Sequence, residues 1–402
     1  GWSGKKDRYK DRISTSMMQC QGRRTVRNML VMTVLIAGAY FASFYSPMMG
    51  VGAAHGYDAR PVDYAYHWRA DQDLPGKDEV MSLAGEYGVS VSSWVQKPTA
   101  LLGVDGMLHI EEGALGTTWR QEYVPLLAEG QFLSESAYRA LSGQDVDILP
   151  GQVTGVLFEE EGGAGMFGGA ATRITNMVTG QVLQVTPTEE KLAYDMLFGY
   201  YVLDDADYMA ITEGLTPDWQ EELVFFNVED ASETYDFAKA LFHTIVERSG
   251  PEVEQWDGWD QVGKALAEAA GEPYSRDPEN LPAIGYTPID YDQLDSSDFR
   301  LNWKYMPQFR VLDKADFVKT VAVYLMLFIF IAIVCFAAVI VIAFTRSMTI
   351  ALTNAPVYDD LRHLGAPGAY LYHSARSQVK RVFLVPTVVG TALIYAFYTL
   401  IM

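Results

Sequence analysis

The chain has 402 residues, of which 49% are hydrophobic and 20% are charged, and its formal net charge is −21. The length is sufficient for two domains. Two cysteines are too few for a disulfide scaffold, and nucleic-acid binding is not indicated, because the basic residues cluster only beside long uncharged segments.

The first element in chain order is a basic segment, residues 1–28, with a net charge of +6. It predicts a cytoplasmic interfacial segment, since basic flanks stay on the cytoplasmic side of a membrane. Residues 29–49 follow, 21 residues without a charge, which is enough for a helix to cross a hydrocarbon core of about 30 Å. We predict a transmembrane helix here rather than a signal peptide, because 28 residues precede it and no small-residue cleavage site follows.

The central region, residues 50–316, has 16 basic and 47 acidic residues, a net charge of −31, and no cysteine. We predict a large extracellular α+β domain that folds on its core alone. Segments in which apolar and polar residues alternate predict strands, and amphipathic segments that begin with a capping residue predict helices. The predicted strands are GVSVSSWVQ (88–96), QVTGVLF (152–158), GQVLQVTP (180–187) and VFFNVED (224–230). The predicted helices are SESAYRALSG (134–143), DASETYDFAKALFHTIVERSG (230–250) and WDQVGKALAEAAGEP (259–273).

The sequence makes specific predictions about where helices begin and end in this region, and about how the region divides. Ser134 is predicted to cap its helix, and Gly143 is predicted to end it. Asp230 and Glu233 resemble a capping box at the start of the next helix. We also expect a strand-rich part up to about residue 200 and a more helical part after it.

Two further long apolar segments follow the central region. Residues 317–345 predict a second transmembrane helix, and residues 382–402 predict a third. Residues 346–381, between them, carry a net charge of +3 and are predicted to form a cytoplasmic loop. The predicted fold class is therefore a membrane protein with three transmembrane α-helices and a large α+β extracellular domain inserted between the first and the second.

Known chemical motifs are either absent or imperfect. GGAGMFGG (162–169) matches a dinucleotide fingerprint by pattern, but it follows a cluster of carboxylates that would repel a pyrophosphate. GWDQVGKA (258–265) has Ala265 where a phosphate-binding loop needs Ser or Thr. The six histidines have no metal-ligand spacing. The sequence therefore predicts no catalytic residue, no cofactor, no metal site and no ATP binding by this chain.

The loop segment YDDLRHLGAPGAYLYHSARSQVKRVFLVP (358–386) has a more specific pattern. Asp359 and Asp360 favour the start of a short helix, and Gly365 favours its end in a left-handed cap. Leu361 and Leu364 fall on one face of that helix. A short helix held between two membrane helices can push on a cytoplasmic partner, and a plain connector is the alternative.

This segment resembles the loop of FtsX-like ABC transporter permeases, in which a helix ends in a Leu-x-x-Leu-Gly pattern and a second helix leads into the next span. SQVKRVFLVP (377–386) is most similar to the bacitracin-export (Bce) type within that family. The order of one span, a large exported domain and further spans agrees with the resemblance. The resemblance implies that a docking element for a separate ATPase subunit lies in this loop. Its residues would be Asp359, Asp360, Leu361, Arg362, His363, Leu364, Gly365 and Ala366.

The resemblance implies a transport subunit that is not itself an enzyme. Such a permease couples ATP hydrolysis by its partner to a conformational change of the extracellular domain, for antimicrobial peptide resistance or export. It implies residence in a bacterial cell membrane as a multi-pass protein, with the N-terminus inside and residues 50–316 outside. The implied partners are the ABC ATPase, the lipid bilayer, a peptide or lipid-linked ligand and a sensor histidine kinase. The family has four spans and this chain begins with Gly1, so the resemblance also implies a piece of a longer permease.

Two other functions remain open at this stage. One is a related permease that regulates cell-wall hydrolases or transports lipoproteins. The other is a membrane-anchored sensor or binding domain without an ATPase, for which a docking loop would have no use.

Overall fold

One mixed β-sheet of 11 strands organises the central part of the chain in the computed structural model. The structure describes residues 22–112, 118–158, 171–249, 260–274, 292, 294 and 303–401. Within this part, residues from Tyr57 to Asp316 form one compact unit, the sheet unit. Residues up to Gly56 and from Phe317 onwards form a second, the helical unit.

The elements are numbered here in chain order. The α-helices are α1 (Gly22–Ala59), α2 (Lys77–Glu86), α3 (Glu135–Ser142), α4 (Asp205–Thr212), α5 (Tyr235–Arg248), α6 (Gln261–Ala270), α7 (Arg310–His363) and α8 (Gly368–Ile401). The strands are β1 (Tyr64–Arg69), β2 (Val91–Glu112), β3 (Thr118–Ser134), β4 (Gln152–Leu157), β5 (Ala171–Thr175), β6 (Val182–Gln184), β7 (Thr186–Pro187), β8 (Leu192–Ala193), β9 (Tyr201–Leu203), β10 (Gln220–Val228) and β11 (Gln308–Phe309).

The strands pair in an order that mixes distant parts of the sequence. The main path is β11-β1-β10-β2-β3-β9-β4-β7, and β10 lies antiparallel between β1 and β2. β3 and β9 are parallel, whereas β2 and β3 form a long antiparallel hairpin. Because β10 comes from the second half of the unit and lies inside the sheet, the structure does not divide near residue 200 as the sequence suggested.

Side chains from both faces of the sheet are buried. Along β10, Val224 and Phe226 enter one core, and the alternate residues Leu223 and Phe225 enter another. This follows from the two-residue period of a strand, which sends successive side chains to opposite faces. Helices α2 and α5 cover the first face, and α3 covers the second. A sheet that is buried on both faces can hold polar groups away from water.

The capping predictions had different outcomes. For α3 they are confirmed, because the Ser134 hydroxyl accepts a hydrogen bond from the Ala137 amide and Gly143 has a φ of 71°. For α5 the capping box is wrong. A short 3₁₀ turn, Ala231–Glu233, precedes α5, and Asp230 has a φ of 50° with no capping hydrogen bond. The Thr234 hydroxyl instead bonds to the Ala231 carbonyl and to Tyr64, which competes with a cap at α5.

The prediction of three transmembrane helices with an inserted α+β domain is wrong. Among the described residues, only α7 is long and apolar enough to cross a membrane. The apolar helical stretches Met29–Phe44 and Phe383–Thr399 have only 10–17 residues, fewer than the roughly 20 that a span requires. The residues that border these two stretches in the predicted spans, 45–47, 382 and 400–402, are not among those whose side chains the structure describes.

The helical unit contains α1 up to Gly56, most of α7 and all of α8. Phe41 of α1 makes edge contacts with Phe328 of α7 and Phe397 of α8, with ring centroids 6.4 and 5.9 Å apart. A Cβ atom at Gly390 of α8 would lie 3.2 Å from Ile36 of α1, so this glycine permits close helix packing. Within the predicted cytoplasmic loop 346–381, α7 continues to His363 and α8 begins at Gly368.

Candidate functional site

The predicted docking residues lie at the turn of a helical hairpin between α7 and α8. We call residues 359–366 the coupling turn. Gly365 has a φ of 87°, the left-handed conformation that the sequence predicted. The Ala366 amide donates to the Leu361 carbonyl at 3.0 Å, and the Gly365 amide donates to the Arg362 carbonyl at 3.0 Å. These are the two bonds of a Schellman motif, which satisfies the last carbonyls of a helix.

The predicted short helix does not exist as a separate element. Asp359 and Asp360 lie near the end of α7, a helix of 54 residues, rather than at the start of a new helix. The sequence interpretation failed because it assigned the acidic pair to a favourable N-terminal dipole. At a C-terminus the favourable residues are cationic, and Arg362 and His363 occupy the last turn.

Exposure distinguishes the side chains of the coupling turn. The Leu364 side chain is 83% exposed, whereas Leu361 is partly buried. Asp359, Asp360 and Arg362 are also exposed. The turn thus presents one apolar side chain among charged ones, on a backbone fixed by two hydrogen bonds.

A second group of polar residues lies buried within the sheet unit, and we call it the glutamate cluster. Glu221 of β10 is fully buried, and its Oε2 atom lies 3.0 Å from Nδ1 of His67 on β1. The Gln131 amide on β3 donates to the same oxygen at 3.0 Å. Nearby on β3, Oε1 of Glu129 is 3.5 Å from Nζ of Lys304, while Oε2 accepts from the Gln261 amide at 2.7 Å.

The two glutamates respond differently to burial. Burial raises the pKa of Glu221, but the adjacent His67 and Lys304 outweigh it, so this pKa is held below the ordinary value. For Glu129, burial raises the pKa, and Asp260 and Glu221 add to the increase, while Lys304 offsets only part of it. Burial also raises the pKa of Tyr305, whose hydroxyl lies close to Glu221. The cluster therefore keeps one carboxylate ionised and disfavours ionisation of the other.

Several atoms of the glutamate cluster lack a well-aligned hydrogen bond. Among the described residues these include Oε1 of Glu221, the Tyr305 hydroxyl and the Thr99 hydroxyl. The described residues contain no group of three or more His, Cys, Asp or Glu side chains suited to a metal ion. A groove of about 250 Å³ lies elsewhere, between α2 and α5, and Glu79, Leu83, Leu241 and Arg248 are among the residues that line it. None of the residues that line this groove belongs to the glutamate cluster.

The sequence reasoning did not find the glutamate cluster, although one indication was available. In QEELVFFNV, the segment of β10, Glu221 stands two and four residues before Leu223 and Phe225. These positions share one face of a strand, so a period of two places Glu221 inward with them. Its partners could not be identified in this way, because they lie on strands and segments distant in sequence.

The motifs that the sequence rejected now have partial structural explanations. Gly263 and Lys264 of the incomplete phosphate-loop pattern lie within α6, whose N-cap Asp260 accepts from the Gly263 amide at 2.9 Å. This is a capped helix start rather than a phosphate-binding loop. The GGAGMFGG segment lies outside the described residues.

No protein-family model matches the chain, and no curated protein matches it either.

Proposed function

We propose that the chain is the permease subunit of an FtsX-like ABC transporter. Its role is to couple ATP hydrolysis by a separate ATPase subunit to a conformational change of the sheet unit outside a bacterial cell membrane. The observation that carries this proposal is the coupling turn, in which a Schellman motif presents an exposed Leu364 between two long helices. A passive membrane anchor has no need for such a turn.

The continuity of α7 supports the proposal. This helix begins at Arg310 within the sheet unit and runs without interruption for 54 residues to the coupling turn. At about 1.5 Å per residue such a helix is roughly 80 Å long. It includes the one candidate membrane span among the described residues, and only 6% of the most apolar stretch of the helix is buried. An apolar surface that remains so exposed fits contact with lipid or with other membrane helices.

The proposed ligand of the sheet unit is a peptide or a lipid-linked cell-wall precursor. The net charge of −31 in residues 50–316 supports a cationic peptide, since an acidic surface attracts cations over a distance. Solubility alone also accounts for an acidic surface, so the charge supports the ligand class less strongly than the coupling turn supports the ATPase partner.

Substitutions at the coupling turn test the ATPase partnership. The double variant Leu361→Asp/Leu364→Asp in the full-length permease should abolish co-purification of the ATPase, because an apolar contact would acquire two buried charges. Membrane insertion should be unchanged, since neither residue lies in the apolar stretch of α7. The control Leu352→Asp changes a leucine of α7 that is 69% exposed and lies outside the coupling turn, and it should leave association intact. Normal co-purification with the double variant would contradict the proposal.

A further inference from the structure

Glu129 of β3 is contacted by two parts of the sheet unit that are not adjacent in sequence. Its Oε2 atom accepts hydrogen bonds from the first two amides of α6, that of Gln261 at 2.7 Å and that of Val262 at 3.4 Å. Its Oε1 atom lies 3.5 Å from Nζ of Lys304, which belongs to the short segment before β11. We call this segment, residues 303–306, the closing segment. One carboxyl group thus contacts both the start of α6 and the closing segment.

The surroundings of Glu129 oppose its ionisation. The side chains of Glu129 and Lys304 are only 14% and 8% exposed, so water screens their charges little. The charged or titratable groups around the pair are Tyr305 of the closing segment, Asp260 at the N-cap of α6, Asp218 in the turn before β10, Glu221 of β10, and His67 and Arg69 of β1. Lys304 favours the ionised form of the carboxyl group, whereas burial and the carboxylates of Asp260 and Glu221 oppose it.

A buried acceptor on Gln261 favours the protonated form independently. The side-chain Oε1 atom of Gln261 is buried and has no hydrogen-bond donor among the described residues. Its Nε2 atom is turned towards Asp218, at 3.4 Å from a carboxylate oxygen. An ionised Glu129 can only accept hydrogen bonds, whereas a protonated one can also donate. The residue whose amide is bonded to Glu129 therefore also carries an acceptor that only the protonated carboxyl group could satisfy.

We propose that Glu129 is a proton-dependent latch, which holds α6 and the closing segment on the sheet when it is protonated and releases both when it is ionised. Opening brings the carboxyl group into water, which removes the cost of burying its charge. Because the pKa of Glu129 is raised in the closed form, closure is fully stable below the ordinary glutamate pKa and is lost as pH rises through the raised value. Release would also remove Tyr305 from Glu221 and expose the glutamate cluster. The latch lies entirely within the sheet unit and does not depend on the proposed function.

Hydrogen exchange of the full chain in detergent tests the latch. Protection factors, corrected for the intrinsic pH dependence of exchange, are measured for α6 and for residues 303–309 between about pH 4 and pH 8. In the wild type they should fall as pH rises, by at most about tenfold per pH unit, because one proton is linked to opening. In Glu129→Gln, which keeps an acceptor but cannot ionise, they should stay high across the whole range.

Glu222→Gln is the matched control, because it makes the same change at the next position of β10. The Glu222 side chain bonds to Gln96 at an exposed position, 3.1 Å away, and it faces away from Glu221 by the two-residue period of the strand. This variant should keep the wild-type profile. An equally flat profile in Glu222→Gln and Glu129→Gln would contradict the assignment of the latch to Glu129.

Lys304→Gln provides a second variant that leaves the latch residue itself unchanged. It removes the cation that favours the ionised form of Glu129, so the pKa of the closed form should rise further. The fall in protection should then continue to a higher pH than in the wild type, an effect that a loss of packing alone would not produce. This comparison decides the matter if Glu129→Gln does not fold, and a fall that ends at the same or a lower pH would overturn the inference.

The remaining outcomes distinguish a latch from a fixed anchor and from general unfolding. If the wild-type profile were independent of pH, the inference would be wrong. It would also be wrong if Glu129→Gln lost protection at every pH, because Glu129 would then act as a permanent anion. The third test is β4, which should remain protected while α6 and residues 303–309 open. Loss of protection only together with β4 would show unfolding of the whole unit and would refute a local latch.

Discussion

At the scale of single residues, two buried glutamates lie in the same sheet under opposite electrostatic conditions. Glu221 has His67 and Gln131 within hydrogen-bond distance, so its ionised form is favoured despite full burial. Glu129 has one cation at 3.5 Å and further carboxylates nearby, so its ionised form is disfavoured. The cost of burying a charge depends on the groups around it. The pKa values of these two glutamates of one sheet therefore shift in opposite directions.

The pH dependence of stability should reveal this difference. The pKa of Glu129 is raised in the folded state, so its contribution is fully present below the ordinary glutamate pKa and is lost as pH rises through the folded value. Glu129→Gln cannot ionise. The free energy of unfolding of the wild type should therefore fall by about 1 kcal/mol relative to this variant between about pH 4 and pH 8. Urea denaturation at several pH values measures the difference.

Glu221→Gln is the matched comparison and should behave in the opposite way. The pKa of Glu221 is lowered on folding, so its stabilisation is present above the ordinary glutamate pKa and is lost as pH falls through the folded value. The substitution should cost about 3 kcal/mol at neutral pH, because it replaces the buried carboxylate that His67 and Gln131 contact inside the sheet, and the cost should shrink in acid. Parallel pH profiles for the two variants would contradict the assignment.

At the scale of elements, the coupling turn depends on one backbone conformation. Gly365 has a φ of 87°, which an L side chain adopts only with strain. Gly365→Ala should destabilise the turn by about 1 kcal/mol and so increase tryptic cleavage after the exposed Arg362 several-fold, because cleavage requires local opening. Gly368→Ala is the control, since Gly368 begins α8, has no left-handed φ and has open space around it. Equal cleavage rates in the two variants would argue against a strained Gly365.

Short sequence patterns correctly predicted those features that depend on only a few neighbouring residues. The cap at Ser134, the end at Gly143 and the left-handed Gly365 all depend on single residue types, and all three are present. The sequence did not predict that α7 extends to His363. Asp359 and Asp360 are typical of a helix N-terminus, and no nearby residue type indicates that a helix continues past a charged segment. The capping box at Asp230 failed because the Thr234 hydroxyl bonds to Tyr64, a residue 170 positions away.

At the scale of the whole molecule, the sheet unit depends on contacts between its two ends. The segment that precedes α7 supplies Trp303, Tyr305 and Phe309, which are 1%, 4% and 0% exposed. β11 pairs with β1, and the Phe309 ring lies 4.9 Å from that of Tyr64. The order of strands and these end-to-end contacts could not be predicted, since composition and periodicity specify which face is buried but not which distant strand covers it.

The residues of the sheet unit, 57–316, should therefore fold as a separate chain only when both ends are present. Expressed alone, this chain should be soluble and should unfold cooperatively, with the same midpoint in the presence and absence of a reducing agent, because it contains no cysteine. A shorter chain of residues 57–302 loses three buried aromatic side chains at about 3–5 kcal/mol each. That loss is comparable to the whole stability of a domain, so the shorter chain should lack a cooperative transition. Circular dichroism during thermal unfolding compares the two. If the shorter chain unfolded at the same temperature, the segment before α7 would contribute nothing to the core of the sheet unit.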